Sequence, residues 1–288
     1  MQTVRRYYWL AKPGIVYSNV IAGMAGFFLA SGHKGTLDLG LFLATIIGIA
    51  FVIASACVLN NYTDRGIDGK MKRTQKRPTV TSKISGRSTL VYAAMLAIIG
   101  FVVLGNFTNE LTMFLGIAAY VAYIVLYGLA KRHTVHGTLV GTIAGGLPPV
   151  AGYAAVTNQL DINALFLFLV LVAWQMPHFY AIAMRRHDEY AAASIPVLPV
   201  VKGMHATKVQ ILVYTSLFIV INILFAMYGA MGYVYAIVMT LLGVLWLAKG
   251  IKGFKTANDQ DWARRMFLFS LIVLLSLCAM LTVGGLLP

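Results

Sequence analysis

Apolar residues in this chain run in long blocks, and the charged residues fall almost wholly between them. Nine blocks are long enough to cross a bilayer: roughly 14–32, 39–60, 88–106, 111–130, 137–157, 162–184, 209–229, 231–248 and 266–287. A spanning helix needs about 20 apolar residues, and its backbone must bond to itself because the hydrocarbon offers no water. None of the nine holds an internal Lys or Asp. The pattern predicts an all-α, polytopic membrane protein of nine transmembrane helices. The connections are mostly short and leave no room for a soluble domain of about 50 residues or more, so residues 1–288 are read as a single embedded domain.

Composition agrees with the pattern. The 288 residues are 59% hydrophobic and 11% charged, with mean hydropathy +0.79, more apolar surface than a soluble core could hide. Arg5, Arg6 and Lys12 ahead of the first block give it the look of a signal peptide. The block is too long for that: a signal peptide's apolar region spans about 7–15 residues. The first block is therefore expected to stay as an anchor, with the "ASG" before His33 in a loop rather than at a cleavage site. Cys57 and Cys278 both fall in apolar blocks, which leaves neither a disulfide framework nor a CxxC motif and makes them packing residues.

The net charge of +14 raises the question of nucleic acid, but the placement of the cations excludes it. When the connections are assigned alternately to the two membrane faces, every Lys and Arg except Lys34 falls on one face. That is the positive-inside pattern, and it orients the N-terminus and the long connections toward the cytoplasm and the C-terminus outward.

Acidic residues contribute little to orientation, so their positions bear more directly on chemistry. Of the nine, Asp38, Glu110 and Asp161 sit in outer loops and Asp259 and Asp261 in the last inner connection, leaving Asp64, Asp68, Asp188 and Glu189 at the inner edge. If the second helix continues past its membrane end, Asn60, Asp64 and Asp68 lie along one face at i, i+4 and i+8, with Asn61 three residues before Asp64. Such a ladder of oxygens suits Mg²⁺, which is typically held by one or two carboxylates together with substrate phosphates. The stretch "NNYTDRGIDGKMKRTQKRP" then makes sense as a diphosphate site: carboxylates for the metal, and Lys72, Arg73, Lys76 or Arg77 for the phosphate oxygens. The plainer alternative is a solvated loop with surface ion pairs of little worth.

Two other inner segments carry chemistry. In "WQMPHFYAIAMRRHDEY" His178 lies within the sixth span beside Pro177, which is expected to kink the helix and open backbone groups. The alternative for His178 is a hydrogen-bonded packing residue; His187 and His205 read as loop residues. In "YGLAKRHTVHG", Tyr127 and Lys131 share a helix face at i, i+4. Beyond it Gly137, Gly141 and Gly145 permit close helix approach, and Pro148–Pro149 are expected to interrupt the fifth span near a cavity.

These motifs together resemble the UbiA-type intramembrane prenyltransferases over nearly the whole chain, from "KPGIVYSN" through the final span. The family's Asn-Asp-x-x-Asp-x-x-x-Asp motif falls on Asn60, Asn61, Asp64 and Asp68, with Asn61 where many relatives carry Asp. Its Tyr-x-x-x-Lys feature falls on Tyr127 and Lys131. Its second motif, Asp-x-x-x-Asp, is not intact: the corresponding positions are Arg185 and Glu189, with Asp188 beside the latter. The strings "WQMPHFYAIAMRRHDEY", "IPVLPVV", "KRHTVHGTL" and "GGLPPVAGY" resemble the haem-modifying branch rather than the enzymes that act on aromatic acids.

The resemblance implies nine helices around a central cavity with cytoplasmic capping loops, in a bacterial inner membrane. It implies transfer of the farnesyl group of farnesyl diphosphate to a vinyl group of haem b, with addition of water, and hand-over of the product to a haem-copper terminal oxidase or a haem A synthase. Asp64, Asp68, Lys131 and Tyr127 would be catalytic, and Arg185 would join the cations on the diphosphate. Asn60, Asn61, Asp64, Asp68, Asp188 and Glu189 would be the oxygen ligands for Mg²⁺, and His178 an axial ligand to the haem iron. Tyr120, Tyr123 and Tyr127 offer aromatic faces to an allylic cation, or serve only as packing. Three alternatives stay open at this level: an aromatic quinone precursor as acceptor, a secondary transporter, and a haem-binding protein without catalysis. The concentration of charge at one membrane face disfavours a transmembrane ion path.

Overall fold

Apolar surface and self-satisfied backbone leave the chain one solution, and it takes it. The computed structural model describes residues 2–284, so positions 285–287 of the ninth predicted span, and the C-terminus, lie outside the described residues. Among the described residues nine helices are long and apolar enough to cross a membrane: Pro13–Lys34, Leu39–Thr63, Gly86–Phe107, Glu110–His133, Gly137–Thr157, Ile162–Arg185, Leu198–Tyr228, Tyr233–Lys255 and Asp259–Gly284. These are called the first to the ninth span.

The outer acids are largely spent on starting helices. Asp38 accepts from the Leu41 amide at 2.9 Å, and Asp161 accepts from the amides of Asn163 and Ala164 at 2.9 and 3.0 Å. Each satisfies donors that a helix N-terminus leaves open. Asn109 does the same for Thr112, with Glu110 in the first turn of the fourth span.

Two spans begin earlier than the apolar blocks. The seventh starts at Leu198 rather than near 209, and the ninth at Asp259 rather than near 266. Charged residues end an apolar run without ending a helix, so Lys202, His205 and Lys208, and likewise Asp261, Arg264 and Arg265, extend their helices past the membrane edge. Gly203 breaks the seventh helix locally, with a φ of 82°. A further short helix, Gln2–Leu10, precedes the first span.

The expected interruption at Pro148–Pro149 does not occur. Pro148 and Pro149 lie inside a continuous fifth span, and Pro177 inside a continuous sixth. Packing supplies a reason for the first case. A Cβ on Gly26 would collide with the Pro149 carbonyl, and one on Gly152 with the Gly23 carbonyl. The backbones of the first and fifth spans therefore touch at this level, as small residues allow, and the contact packs the fifth span where two amide donors are missing.

The second span packs on the third, the first on the fifth and ninth, and the sixth on the fifth, seventh and ninth. Across the inner end, the connections after the second and sixth spans meet. Met71, Ala193 and Ile195 form a small buried cluster with Ile67, Tyr190 and Val197 against it. Lys208 near the start of the seventh span is buried, donating to the Gly253 carbonyl at 2.8 Å and pairing with Asp259 at 2.5 Å.

Candidate active site

The second span ends at Thr63, and a four-residue helix, Arg65–Asp68, follows across the Asp64 junction. The turn does not destroy the expected ladder. Asp64 N–H bonds to the Asn60 carbonyl at 2.9 Å and Asp68 N–H to the Asp64 carbonyl at 2.8 Å, so i, i+4 spacing survives the break. Asn60, Asp64 and Asp68 all line one cavity of about 550 Å³.

Cations converge on the two carboxylates. Lys131 Nζ and Asn60 Nδ2 donate to Asp64 Oδ2, the latter at 2.8 Å, and Arg132 Nη2 donates to Asp64 Oδ1 at 3.0 Å. Arg77 Nη1 donates to Asp68 Oδ2 at 2.6 Å. Burial alone would raise the Asp64 carboxyl, but Lys131, Arg132 and Lys12 outweigh it and hold it below the usual carboxylate range. Both acids thus lie against cations at the wall of a largely apolar chamber.

Several residues read as site residues sit elsewhere. Asn61 turns away from the cavity: its Nδ2 donates to the Leu10 carbonyl at 2.7 Å, tying the N-terminal helix to the second span. Lys72 and Lys76 are exposed on the outside of the first inner connection, while Arg73 and Arg77 line the cavity. The turns between Asp68 and Val80 thus split each adjacent pair, Lys72–Arg73 and Lys76–Arg77, with the first cation outward and the second on the cavity wall.

The second acidic pair is not a metal site as placed. The Asp188 side chain is 83% exposed and pairs with His187. Glu189 accepts from Arg186 Nη1 at 2.8 Å, and its other oxygen lies 4.0 Å from Arg73 Nε. Arg185 is half-buried away from the cavity wall. The short helix His187–Ala192 starts a fresh register after Arg186 and points these groups out of the chamber. Arg73 still couples Glu189 to the cavity, so the second inner connection braces a cation rather than supplying a ligand.

One cavity residue escaped sequence reading. Lys12 sits in a left-handed turn, φ 51°, between the N-terminal helix and the first span, and its Nζ donates to Asn60 Oδ1 at 2.5 Å. Burial, with Arg77 and Lys131 nearby, pushes its ammonium down to about 8. Its place before Pro13 suggested only a topological charge; nothing local in the sequence signals the turn that aims it inward.

Deeper in the membrane the chamber is aromatic. Tyr120, Tyr123 and Tyr127 line it, with Tyr123 stacked on Tyr127 at 5.5 Å. Tyr123 and Tyr127 sit in a π-helical turn, Ala122–Tyr127, a feature often found at functional sites, and Tyr120 lies two residues before it. Lys131 Nζ lies 5.2 Å from the Tyr127 ring centre. His178 also lines the cavity, stacked on Trp174 at 4.7 Å and tilted against Phe267 at 5.0 Å. It is seven residues before the end of the sixth span, about 10 Å deeper than Arg185 at 1.5 Å per residue. Cys57 and Cys278 are free and buried, and Cys57 is part of the cavity wall.

Carboxylates and cations thus share one largely apolar, aromatic chamber among helices long enough to span a membrane. The chain belongs to the UbiA prenyltransferase family, which it matches over residues 19–272, and it is a multi-pass membrane prenyltransferase. Two of its curated relatives are each named protoheme IX farnesyltransferase. That of Edwardsiella ictaluri is 46% identical, covering 97% of this chain and 94% of its own. That of Protochlamydia amoebophila is 45% identical, covering 94% and 95%.

Solved structures share the fold at low identity. A digeranylgeranylglyceryl phosphate synthase superposes with a TM-score of 0.80 at 18% identity, over 99% of both chains. A UbiA homologue from Archaeoglobus fulgidus bound to GPP and Mg²⁺ superposes with a TM-score of 0.72 at 13% identity, over 96% of this chain and 99% of its own.

Proposed function

We propose that this chain transfers the farnesyl group of farnesyl diphosphate to a vinyl group of haem b, with addition of water, giving haem O and diphosphate. The names of its relatives support the haem acceptor. The observation that carries the reading is that one chamber joins two different walls. Asp64, Asp68, Lys12, Arg73, Arg77 and Lys131 suit a metal-bound diphosphate, and His178, Trp174 and Phe267 suit a flat aromatic metal complex.

The donor set fits one Mg²⁺. Asp64 and Asp68, with the Asn60 amide oxygen, would hold it, and among the described residues no three His, Cys, Asp or Glu side chains cluster as a metal site by themselves. Its remaining oxygens would come from the diphosphate and water, as is usual for this ion. Bound there, Mg²⁺ would withdraw charge from the leaving diphosphate. The second acidic pair does not fit, which favours one protein-held metal over two.

The chain's own groups account for the rest. Lys131 and Arg77 are poised to move from carboxylate to phosphate oxygens as negative charge develops when the farnesyl C1–O bond breaks and the electron pair leaves with diphosphate. Tyr120, Tyr123 and Tyr127 shield the allylic cation, each through an attraction of about 0.5–2 kcal/mol. C1 then bonds to the terminal vinyl carbon, the positive charge passes to the vinyl carbon next to the porphyrin, and water adds there and loses a proton. The inner connections keep bulk water from the cation before that bond forms. His178 ligates the haem iron, and the whole chain works as one unit.

The distribution of Lys and Arg supports a cytoplasmic N-terminus and site and an outward C-terminus, and the bacterial sources of the relatives support an inner membrane as the location. The test is extraction of haems from cells with and without this protein. A new species with the mass of hydroxyethylfarnesyl haem should appear only with it; an unchanged haem profile would count against the assignment.

A further inference from the structure

Resting on the haem reading above, we infer that Ser270 is a positioning residue: it sets the tautomer of His178 and presents the Nε2 lone pair of that ring to the haem iron. The argument is a proton count. A serine hydroxyl has one proton and spare lone pairs, whereas a backbone carbonyl can only accept. Ser270 Oγ lies 2.6 Å from the Phe267 carbonyl, so its one proton goes there. Ser270 Oγ also lies 2.7 Å from His178 Nδ1. With its proton committed, Ser270 can only accept in this second bond, so Nδ1 carries the hydrogen. In the neutral ring Nε2 is then the nitrogen with the free lone pair, and it has no protein partner among the described residues.

The ring has little freedom to turn. Trp174 stacks on one face at 4.7 Å, and its own indole N–H is fixed to the Ser270 carbonyl at 2.8 Å. Phe267 leans on the ring at 5.0 Å. The ninth span thus holds both the histidine and the aromatic plate beside it through a single residue. A metal-bound histidine is generally oriented and made more basic by a partner on its other nitrogen. Here the partner is a hydroxyl oxygen already polarised by its bond to Phe267. The iron ligand would be neutral imidazole, made more basic by a neutral acceptor rather than by a carboxylate.

The experiment titrates purified protein in detergent with haem b and reads affinity, visible absorption and the Fe–His stretching band of the ferrous complex. The variants are Ser270→Ala, Ser270→Thr and His178→Ala. Ser270→Ala should weaken haem binding by about 10- to 100-fold and lower the Fe–His stretching frequency. Ser270→Thr, which keeps the hydroxyl, should restore both. A purely structural serine would change melting temperature and leave the spectrum alone. If Ser270→Ala does not fold, the Fe–His band of Ser270→Thr and of wild-type protein in H₂O and D₂O still reports the Nδ1–H bond, and absence of an isotope shift overturns the inference. If His178→Ala loses the spectrum while Ser270→Ala keeps it, the Ser270 inference fails and ligation by His178 stands. If His178→Ala leaves affinity and spectrum unchanged, the ligation reading itself fails.

Discussion

Arg77 Nη1 donates to Asp68 Oδ2 at 2.6 Å, a pair nine residues apart in sequence and set against the wall of the membrane chamber. The Asp68 side chain is only 4% exposed, so the carboxylate tolerates burial because a cation is already beside it. In the proposed function a metal-bound diphosphate would give each group a new partner: the carboxylate a metal, the guanidinium a phosphate. Asp68→Asn keeps the shape and removes the charge. It should lower kcat by about 10²–10³-fold, the scale of losing one electrostatic stabiliser of the transition state. Arg77→Lys keeps the charge but not the fork, and should raise KM for farnesyl diphosphate more than it lowers kcat. Steady-state farnesyl transfer measures both.

Inward and outward cations should separate cleanly. Lys12 is half-buried on the cavity wall, whereas Lys72 and Lys76 face solvent. Lys12→Gln should raise KM for farnesyl diphosphate by about 10- to 100-fold, the equivalent of a hydrogen bond to a charged group worth about 1.5–3 kcal/mol. Lys72→Gln and Lys76→Gln should leave it unchanged, as should Asp188→Asn. Inhibition of each variant by inorganic diphosphate provides the check.

Much of this was legible in the sequence because a bilayer simplifies the reading. Apolar blocks located all nine spans, and the i, i+4 spacing of Asn60, Asp64 and Asp68 located the ladder even though the helix breaks at Asp64. What failed was direction. Asn61 is adjacent to Asn60, yet a helix turns successive residues by roughly 100°, and it bonds to Leu10 instead. Arg77 points in and Lys76 out for the same reason, within a connection whose turns composition does not reveal. Lys12 depends on a left-handed backbone position and on a fold that brings residue 12 to residue 60. The paired prolines at 148 and 149 misled because a close-packed neighbouring helix supports the fifth span through them.

The start of the sixth span offers a pH test independent of catalysis. Burial alone would raise the Asp161 carboxyl, but hydrogen bonds from Tyr153 and from the amides of Ala164 and Asn163 hold it below the usual carboxylate range. Its contribution to stability is therefore complete above the unfolded value of about 3.9 and is lost as pH falls through the lower folded value. Asn also caps helices well. Asp161→Asn should thus melt below wild type at pH 7, and the gap should close as pH falls below about 4. A gap that widens in acid would reverse the sign.

The buried ion pair of Lys208 and Asp259 should matter for folding rather than turnover. Lys208 lies against Asp259 and the Gly253 carbonyl, 5.6 Å from the Trp262 ring. Asp259→Ala would leave the ammonium buried without its counter-ion and should cost up to about 3–5 kcal/mol, the upper figure reduced because Asp259 is partly exposed. Lys208→Met should recover part of that loss in the double variant. Thermal melting in detergent reads both, with KM for farnesyl diphosphate expected to stay at the wild-type value in the folded fraction.

The most direct test follows product by mass in purified protein reconstituted into lipid nanodiscs with farnesyl diphosphate and haem b, with Mg²⁺ present, after chelation, and with Asp64→Asn. Hydroxyethylfarnesyl haem should form with Mg²⁺, fall to background on chelation, return when Mg²⁺ is restored, and stay at background in the variant. Undiminished product after chelation, or from Asp64→Asn, would contradict a carboxylate-held metal as the means of breaking the carbon–oxygen bond.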